Sequence, residues 1–408
     1  MSDPIRLLHF ADLHVGTENY GRVDTVTGTS SRVRDFLDRM DSVIDYALEN
    51  QADAAIFAGD AFKTRDPDPT QQREFAARLK RLADNMPVLL LVGNHDLPGM
   101  ASKATSIDIF SALDVHNVIV GGQPDGQVIE TARGPFYLAW MPYPMRNRLL
   151  THDQYKGNSV EDLDQALLVA VDTLVQDLAH RANQHDMPRV LSGHFSVAEA
   201  KLGSERSVML GRDVAVYKST LSKSAWDYVA LGHIHKHQDV NSGGYPSVVY
   251  SGSLERIDFG EEKEQKGFCW VKLARGETEW NFVPVDARSF LTIRVDARDF
   301  DDPTALVVST IKKRDIGGKV VRIVLQLKSR QSASLRDSEI TSALASAYSH
   351  SVVREVDNEA RTRIRGISAE TLTHFELLEH YFEDKGYDQD RIKLLLSVAR
   401  SIFDGAEN

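Results

Sequence analysis

Short apolar runs alternate with longer amphipathic stretches along the first 285 residues of the chain. The runs are nearly continuous in apolar residues, which predicts strands that are buried on both faces. Apolar residues that recur every three or four positions predict helices over 30–50, 69–85 and 160–183. The alternation of strands and helices indicates an α/β sandwich. The predicted strands are IRLLHFAD, AAIFAGD, PVLLLVGNHD, FYLAWMPYP, RVLSGHF, YVALGHIH, VVYSGS and GFCWVKL.

The pattern divides the chain into segments of different character. We expect residues 1–285 to form the sandwich. The pattern over 286–358 predicts a smaller unit with the order β-α-β-α-β. The stretch 359–367 is charged and has no apolar face, which predicts a linker. Residues 368–408 predict two amphipathic helices.

The two terminal helices each carry an apolar stripe. Ser368 is the predicted cap of the first helix, and Asp388 or Asp390 is the predicted cap of the second. Two isolated helices of this length are marginal in water, so their stripes must be buried against something. They pack either as a hairpin on the rest of this chain or on a partner protein, and the charged linker before them favours the partner.

Composition limits the class of protein. A chain of 408 residues is longer than a single hydrophobic core usually supports, which predicts two or three units. Its 42% apolar and 26% charged residues are typical of soluble globular proteins. No apolar run approaches the ~20 residues that cross a bilayer, and the start MSDPIRLL lacks the pattern of a signal peptide. The single cysteine, Cys269, cannot form an internal disulfide, which fits a reducing cytoplasm. We therefore expect a cytoplasmic protein with no membrane contact.

Polar clusters follow most of the predicted strands. In an open α/β sheet the carboxyl ends of the strands share one crevice, where ligands bind. Any one of these motifs alone is more often a turn, or a core histidine whose hydrogen bonds are satisfied. The motifs recur at five strand ends, and at four of them a glycine precedes a ligand, which favours a common site. The gathered side chains are Asp12, His14, Asp60, Asn94, His95, His194, His233 and His235.

The donor types in this set indicate divalent metal ions. Residues i and i+2 of a strand point to the same side, so Asp12 with His14, and His233 with His235, are expected to aim at one point. Oxygen and imidazole donors without a thiolate suit Mn, Fe, Co or Zn. Apart from His95, the seven donors exceed what one tetrahedral ion takes, which predicts two ions that share a bridging carboxylate. The net charge of −11 by itself argues against a nucleic-acid binder. Bound metal ions would supply positive charge that offsets it.

The order D-x-H, GD, GNHD, GH, GHxH resembles the calcineurin-like metallophosphoesterase superfamily. Within it, the stretches LLHFADLHVG, YVALGHIHKHQ and YSGSLERIDFGEEKEQKGF are similar to the nuclease subunits of SbcCD-type DNA-repair exonucleases, over most of residues 5–275. The resemblance implies two mixed sheets flanked by helices, a small α/β capping domain over 286–358, and a helical segment over 368–408 that grips an SMC-like coiled-coil ATPase of the SbcC type.

The resemblance also implies roles for the site residues. Asp12, His14, Asp60 and His235 would hold one metal ion, and the mixed oxygen and imidazole donors lead us to expect Mn²⁺. Asp60 would bridge to a second such ion held by Asn94, His194 and His233. His95 would face the scissile phosphate. Lys63 departs from the pattern, because relatives often carry Asp or His at its position; its ammonium cannot accept a proton from His95, and we assign it to contact with DNA phosphate.

These features predict a metal-dependent DNA exonuclease or endonuclease. It would act in double-strand-break repair as a homodimer within a heterotetramer that includes the ATPase. The alternative is a small-molecule phosphodiesterase or phosphatase of the same superfamily, and a third possibility is a scaffold without activity. The complete set of ligands argues against the scaffold, and the additional unit and helical tail argue against a small substrate.

Overall fold

A computed structural model of the chain describes residues 3–25, 28–100, 103–145, 159–203, 215–357 and 373–405. The chain divides into two compact units. The linker predicted over 359–367 and the predicted cap Ser368 lie outside the described residues. Unit 1 comprises Met1–Thr292, Ile316–Arg322 and Ser346–His350, and unit 2 comprises Ile293–Asp315, Ile323–Ala345 and Ser351–Asn408.

Unit 1 contains most of the strands and the two longest of the described helices. Its strands are β1 (Ile5–Phe10), β2 (Ala54–Phe57), β3 (Val88–Leu91), β4 (Val118–Gly121), β5 (Asp125–Ile129), β6 (Phe136–Met141), β7 (Arg189–His194), β8 (Ser196–Val197), β9 (Ala215–Val216), β10 (Tyr228–Gly232), β11 (Gln238–Asp239), β12 (Ser247–Tyr250), β13 (Gly267–Leu273) and β14 (Glu279–Pro284). Its helices are α1 (Ser31–Glu49), α2 (Pro69–Ala83), α3 (Asp108–Ala112), α4 (Val160–Ala182) and α5 (Lys218–Leu221), with a 3₁₀ helix over Phe259–Glu261.

Two mixed six-stranded sheets form the body of unit 1. Their orders are β14-β13-β1-β2-β3-β4 and β11-β12-β10-β7-β6-β5. In the first sheet β1, β2, β3 and β4 pair in parallel, and β13 and β14 pair antiparallel to their neighbours. In the second sheet β12, β10, β7 and β6 pair in parallel, and β11 and β5 pair antiparallel at the two edges. Leu7 and Ile56 of the first sheet join Leu138 and Val190 of the second in one hydrophobic cluster, so the sheets face each other. Helices α1 and α2 cover the outer face of the first sheet and α4 that of the second, which confirms the predicted fold class.

Local hydrogen bonds determine where the covering helices begin. The Ser30 hydroxyl accepts a hydrogen bond from the backbone N–H of Arg32 at the start of α1. Asp68 and Gln71 form a capping box at the start of α2, with a proline at the first helical position. Among the helices that the structure describes, none has the length and apolar character that crossing a bilayer requires.

Six strands of unit 1 were not predicted from the sequence: β4, β5, β8, β9, β11 and β14. Four of them, β4, β5, β11 and β14, lie at the edges of the two large sheets, and β8 and β9 form a separate two-stranded pair. An edge strand has one open side and need not be continuously apolar, and polar residues interrupt β5, β11 and β14. Strand β4 is apolar but only four residues long.

A third sheet follows in the chain. Its strands are β15 (Phe290–Asp296), β16 (Val320–Lys328) and β17 (Ser349–Asp357), in that spatial order. Helix α6 (Pro303–Lys312) connects β15 to β16, and α7 (Ser329–Ser332) and α8 (Asp337–Ala343) lie between β16 and β17. Asp302 caps α6 through the backbone N–H of Ala305.

The chain ends in two helices, α9 (His374–Asp384) and α10 (Gln389–Gly405), which contact each other. Thr373 and Glu376 form a capping box at the start of α9. At α10 the Asp388 carboxylate accepts a hydrogen bond from the backbone N–H of Arg391 at 2.9 Å, so Asp388 rather than Asp390 acts as the cap.

Candidate metal centre

The predicted site residues converge at the carboxyl ends of β1, β2, β3, β7 and β10. Nε2 of His14 lies 3.0 Å from Nε2 of His235 and 3.7 Å from the Asp60 carboxylate. The same carboxylate lies 3.4 Å from Nε2 of His194, which is 3.0 Å from Oδ1 of Asn94. Carboxylate and imidazole groups in this cluster form three overlapping sets with donor atoms within 4.8 Å of one another, which could hold metal ions.

Two further predicted residues complete the cluster. Nδ1 of His233 lies 2.9 Å from Oδ1 of Asn94. The Asp12 carboxylate accepts a hydrogen bond from the backbone N–H of His233 at 3.0 Å and shares a candidate metal set with His14 and His235. The structure therefore brings together all seven predicted ligands and places His95 beside them.

Most of the ligands lie in loops beyond the strand ends, whereas His194 is the last residue of β7. Strand β1 ends at Phe10 and β10 at Gly232, so the D-x-H and H-x-H pairs lie in the loops beyond, and the prediction that strand alternation aims them is wrong. Four of the ligands instead have positive φ: 54° at Asp12, 48° at His14, 60° at Asp60 and 92° at His233. Such angles are uncommon for residues other than glycine and cluster where a surrounding structure holds a functional site.

The loop after β1 runs beside the loop after β2 and is fixed to it. Backbone N–H groups of Asp12 and His14 donate to the carbonyls of Gly59 and Asp60. Gly59 has a φ of 101°, and a Cβ there would lie 2.2 Å from Nδ1 of His194. The glycine therefore allows the backbone of one sheet to approach a ligand from the other, as predicted for the glycines that precede the site residues.

Hydrogen bonds fix which ring nitrogen faces the centre. Nδ1 of His194 donates to the carbonyl of Ala58 at 2.7 Å, and Nδ1 of His235 donates to the carboxylate of Glu261 at 2.8 Å. In both rings Nε2 is directed at the cluster, in the arrangement that metal-binding histidines adopt. This tautomer pattern, together with the buried oxygen donors, fits a pair of divalent ions.

The charges of the cluster are shaped by burial. Burial opposes ionisation of Asp60, yet the neighbouring rings of His194 and His14 hold its pKa well below the usual value. Burial would lower the pKa of His194, but the Asp60 carboxylate outweighs it and raises that pKa to about 9. At His14 burial dominates, and its pKa lies well below the ordinary value. A charged, buried carboxylate surrounded by imidazoles is a centre that attracts positive charge, and ions compete there with protons.

The orientation of His95 was predicted incompletely. Its backbone N–H donates to the Asp60 carboxylate at 2.8 Å, and its Nδ1 donates to the main-chain carbonyl of Lys63 at 2.8 Å. The sequence-based argument that Lys63 cannot accept a proton from His95 considered only the lysine side chain. The acceptor is the main-chain carbonyl, which any residue at position 63 would supply. Nε2 of His95 is thereby directed away from Lys63.

Sequence reasoning missed Asp96, the last residue of the GNHD motif. Its carboxylate is fully buried and accepts hydrogen bonds from the backbone N–H groups of Gly93, Asp60 and Ala61 and from the Ser106 hydroxyl, at 3.0–3.2 Å. Burial and the nearby Asp60 raise its pKa to about 7. Asp96 thus joins the loops after β2 and β3, and its place in a motif with two site residues was the available signal.

Comparison with known proteins identifies the class. Residues 5–237, which are 233 of the 408 residues, match the family model of the calcineurin-like phosphoesterases. The chain belongs to this family.

Relatives in two bacteria narrow the resemblance. The chain is 28% identical over 284 residues to SbcD of the nuclease SbcCD from Escherichia coli K12, a match that covers 67% of this chain and 66% of that protein, just under two thirds of its length. It is 28% identical over 287 residues to the protein of the same name in Bacillus subtilis 168, covering 67% of each. A solved dimetal phosphatase from Danio rerio matches with a TM-score of 0.40 at 12% identity, over 68% of this chain and 99% of that one.

Proposed function

We propose that this protein is a Mn²⁺-dependent DNA nuclease subunit that hydrolyses phosphodiester bonds. The observation that carries the proposal is the placement of His95 at the edge of the ligand cluster. Hydrogen bonds from its backbone N–H and from its Nδ1 orient the residue. The centroid of its ring lies 4.7 Å from that of the His14 ring. A ligand set without such a group would support binding alone. The similarity to nuclease subunits in two bacteria supports DNA as the substrate.

Under this proposal one ion is held by Asp12, His14, Asp60 and His235, and the other by Asp60, Asn94, His194 and His233. When bound, the ions supply Lewis-acid activation of the phosphodiester and of water. Two divalent ions carry four positive charges against the two carboxylates of the set, so the crevice attracts a phosphodiester although the chain is acidic. Nε2 of His95 donates a hydrogen bond or a proton to a phosphate oxygen, which stabilises the charge that develops in the transition state.

Lys63 is assigned to the DNA backbone. Its main-chain carbonyl orients His95, so its side chain begins beside the reacting group. An ammonium group there neutralises a phosphate and releases counterions when DNA binds. The proposed cleavage takes place in the cytoplasm, where buried Cys269 remains a thiol.

The substrate class can be tested with one preparation of the full chain. Linear duplex DNA and a chromogenic phosphodiester are offered with Mn²⁺, after EDTA treatment and desalting, and with Mn²⁺ restored. We expect cleavage of DNA that EDTA abolishes and Mn²⁺ restores. Cleavage of the small ester with intact DNA would instead identify a small-molecule phosphodiesterase, and undiminished activity without metal would contradict the two-metal site.

The terminal helices are proposed to bind a coiled-coil ATPase, in an assembly that contains two copies of each protein. Ile392 is buried, Leu395 is half-buried and the two helices contact each other, so part of the stripe predicted to face the partner is already covered. Leu394 and Val398, four residues apart on α10, are 64% and 48% exposed. An apolar strip of this kind is what a helix-in-groove contact uses.

The variant Leu394→Asp/Val398→Asp is expected to lose copurification with the ATPase while its own Mn²⁺-dependent cleavage of linear DNA persists. Both side chains are exposed, so the change removes apolar contact surface without opening a core. Ser397→Asp adds a charge on the same exposed turn but removes no apolar surface, and it should still copurify. Retained binding in the double variant would place the partner elsewhere.

A further inference from the structure

We propose that Glu261 is a positioning residue for one of the two metal positions, acting through the ring of His235; this inference rests on the proposed function. Glu261 ends the 3₁₀ helix in the stretch GEEKEQKGF, which the roles assigned above do not use. Its side chain is fully buried. A buried carboxylate needs hydrogen-bond partners, and one of the partners of Glu261 is the ligand His235.

Both carboxylate oxygens of Glu261 are engaged. Oε1 accepts the hydrogen bond from Nδ1 of His235 at 2.8 Å. Oε2 accepts from the ammonium of Lys266 at 2.9 Å and from the backbone N–H of Ile257 at 3.0 Å. Rotation of the carboxylate would break all three contacts, so the ring of His235 is held in one orientation.

Lys266 reinforces the same histidine. Its side chain is fully buried, and its ammonium donates to the backbone carbonyl of His235 at 3.2 Å and to the Glu264 carboxylate at 3.0 Å. A buried ion pair is weak evidence for stability, because desolvation of the charges opposes their attraction. A pair that contacts both the ring and the backbone of one ligand is instead explained by placement of that ligand.

The two metal positions differ in this support. Nδ1 of His194 donates to a neutral carbonyl, whereas Nδ1 of His235 donates to a carboxylate. Nδ1 of His14, which shares its position with His235, is buried without a hydrogen-bond partner among the described residues. Glu261 therefore supplies the orienting contact for that pair of imidazoles, and a carboxylate on the remote nitrogen makes the ring a better donor to a metal.

The test is Glu261→Gln in the full chain. Glutamine has the same shape, but its single carbonyl oxygen cannot accept on both sides. If that oxygen accepts from His235, the NH₂ group faces the Lys266 ammonium; if the amide flips to accept from Lys266, the NH₂ group faces Nδ1–H of His235 and the ring is released. Titration of EDTA-treated protein with Mn²⁺ by calorimetry should give two sites in the wild type, one of them ~10–100-fold weaker in the variant. With Co²⁺ as the probe, the visible absorption of that one site should change.

Glu255→Gln is the matched control. Glu255 is equally buried and lies in the same segment, but its carboxylate accepts hydrogen bonds from the backbone N–H groups of Arg256 and Arg288. Its change should leave both Mn²⁺ affinities as in the wild type. Lys266→Met provides a second route, because it removes the clamp and keeps the carboxylate, and it should weaken the same site by a smaller factor.

The outcomes separate this inference from the proposed function. Two Mn²⁺ sites in the wild type with unchanged affinities in Glu261→Gln and Lys266→Met would overturn the role of Glu261 and leave the nuclease proposal in place. Equal weakening of both sites, or the same loss in Glu255→Gln, would also overturn it, because the effect would then be one of general stability. A wild-type protein that binds no Mn²⁺ would overturn both proposals.

Discussion

Replacement of Asp60 by asparagine is expected to reduce phosphodiester cleavage by ~10⁴-fold or more and to remove bound metal from both positions. The Asp60 carboxylate lies between the rings of His14 and His194, and its other oxygen accepts the backbone N–H of His95. An asparagine at this position keeps the contact to residue 95 through its carbonyl and presents an NH₂ group to the two rings, which cannot ligate a metal. Each ion contributes several kcal/mol of charge stabilisation, and tenfold in rate corresponds to about 1.4 kcal/mol.

The metal content of the purified variant, measured by mass spectrometry beside its activity, checks this result. Asp53→Asn is the matched control, because Asp53 is also buried but lies before β2 and accepts from the backbone N–H of Arg6 and the guanidinium of Arg133. It should retain metal and activity. An Asp60→Asn protein that still holds two ions would show that this carboxylate does not bridge them.

Replacement of His95 by alanine is expected to lower kcat by 10²–10⁴-fold, the range for a lost acid–base group, with metal content unchanged. Alanine retains the backbone N–H that donates to Asp60, so the ligand cluster keeps its contact to residue 95. The variant loses only the imidazole ring, whose Nδ1 donates to the carbonyl of Lys63 and whose Nε2 is assigned to the phosphate.

Metal content and steady-state kinetics together distinguish the two roles that His95 could have. His185→Ala removes another half-buried ring, which stacks on Tyr137 away from the cluster, and should change neither quantity. Loss of metal in His95→Ala, to the extent seen in Asp60→Asn, would make His95 a ligand and refute its assignment to the phosphate.

The central strands and the members of the site could be predicted from the sequence because their signals are local. A strand buried on both faces must be apolar throughout, and this identified β1, β2, β3, β7 and β10 before their neighbours were known. The polar residues that interrupt such runs are costly unless something binds them, which identified Asp12, His14 and the histidines of GHIH. The edge strands β5, β11 and β14 lacked this signal, because the composition of an edge strand is less constrained.

The sequence by itself therefore determined the fold class and which candidate ligands meet, and the tertiary structure decided how each ligand is held. The Nδ1 of His95 is held by a backbone carbonyl 32 positions away, and that of His235 by Glu261, 26 positions away. The positive φ angles of Asp12, His14, Asp60 and His233 depend likewise on neighbouring loops. Local patterns record whether a residue is buried, because that depends on its own side chain. They do not record hydrogen bonds between distant segments, since any residue can supply a carbonyl and only the packed sheets bring donor and acceptor together.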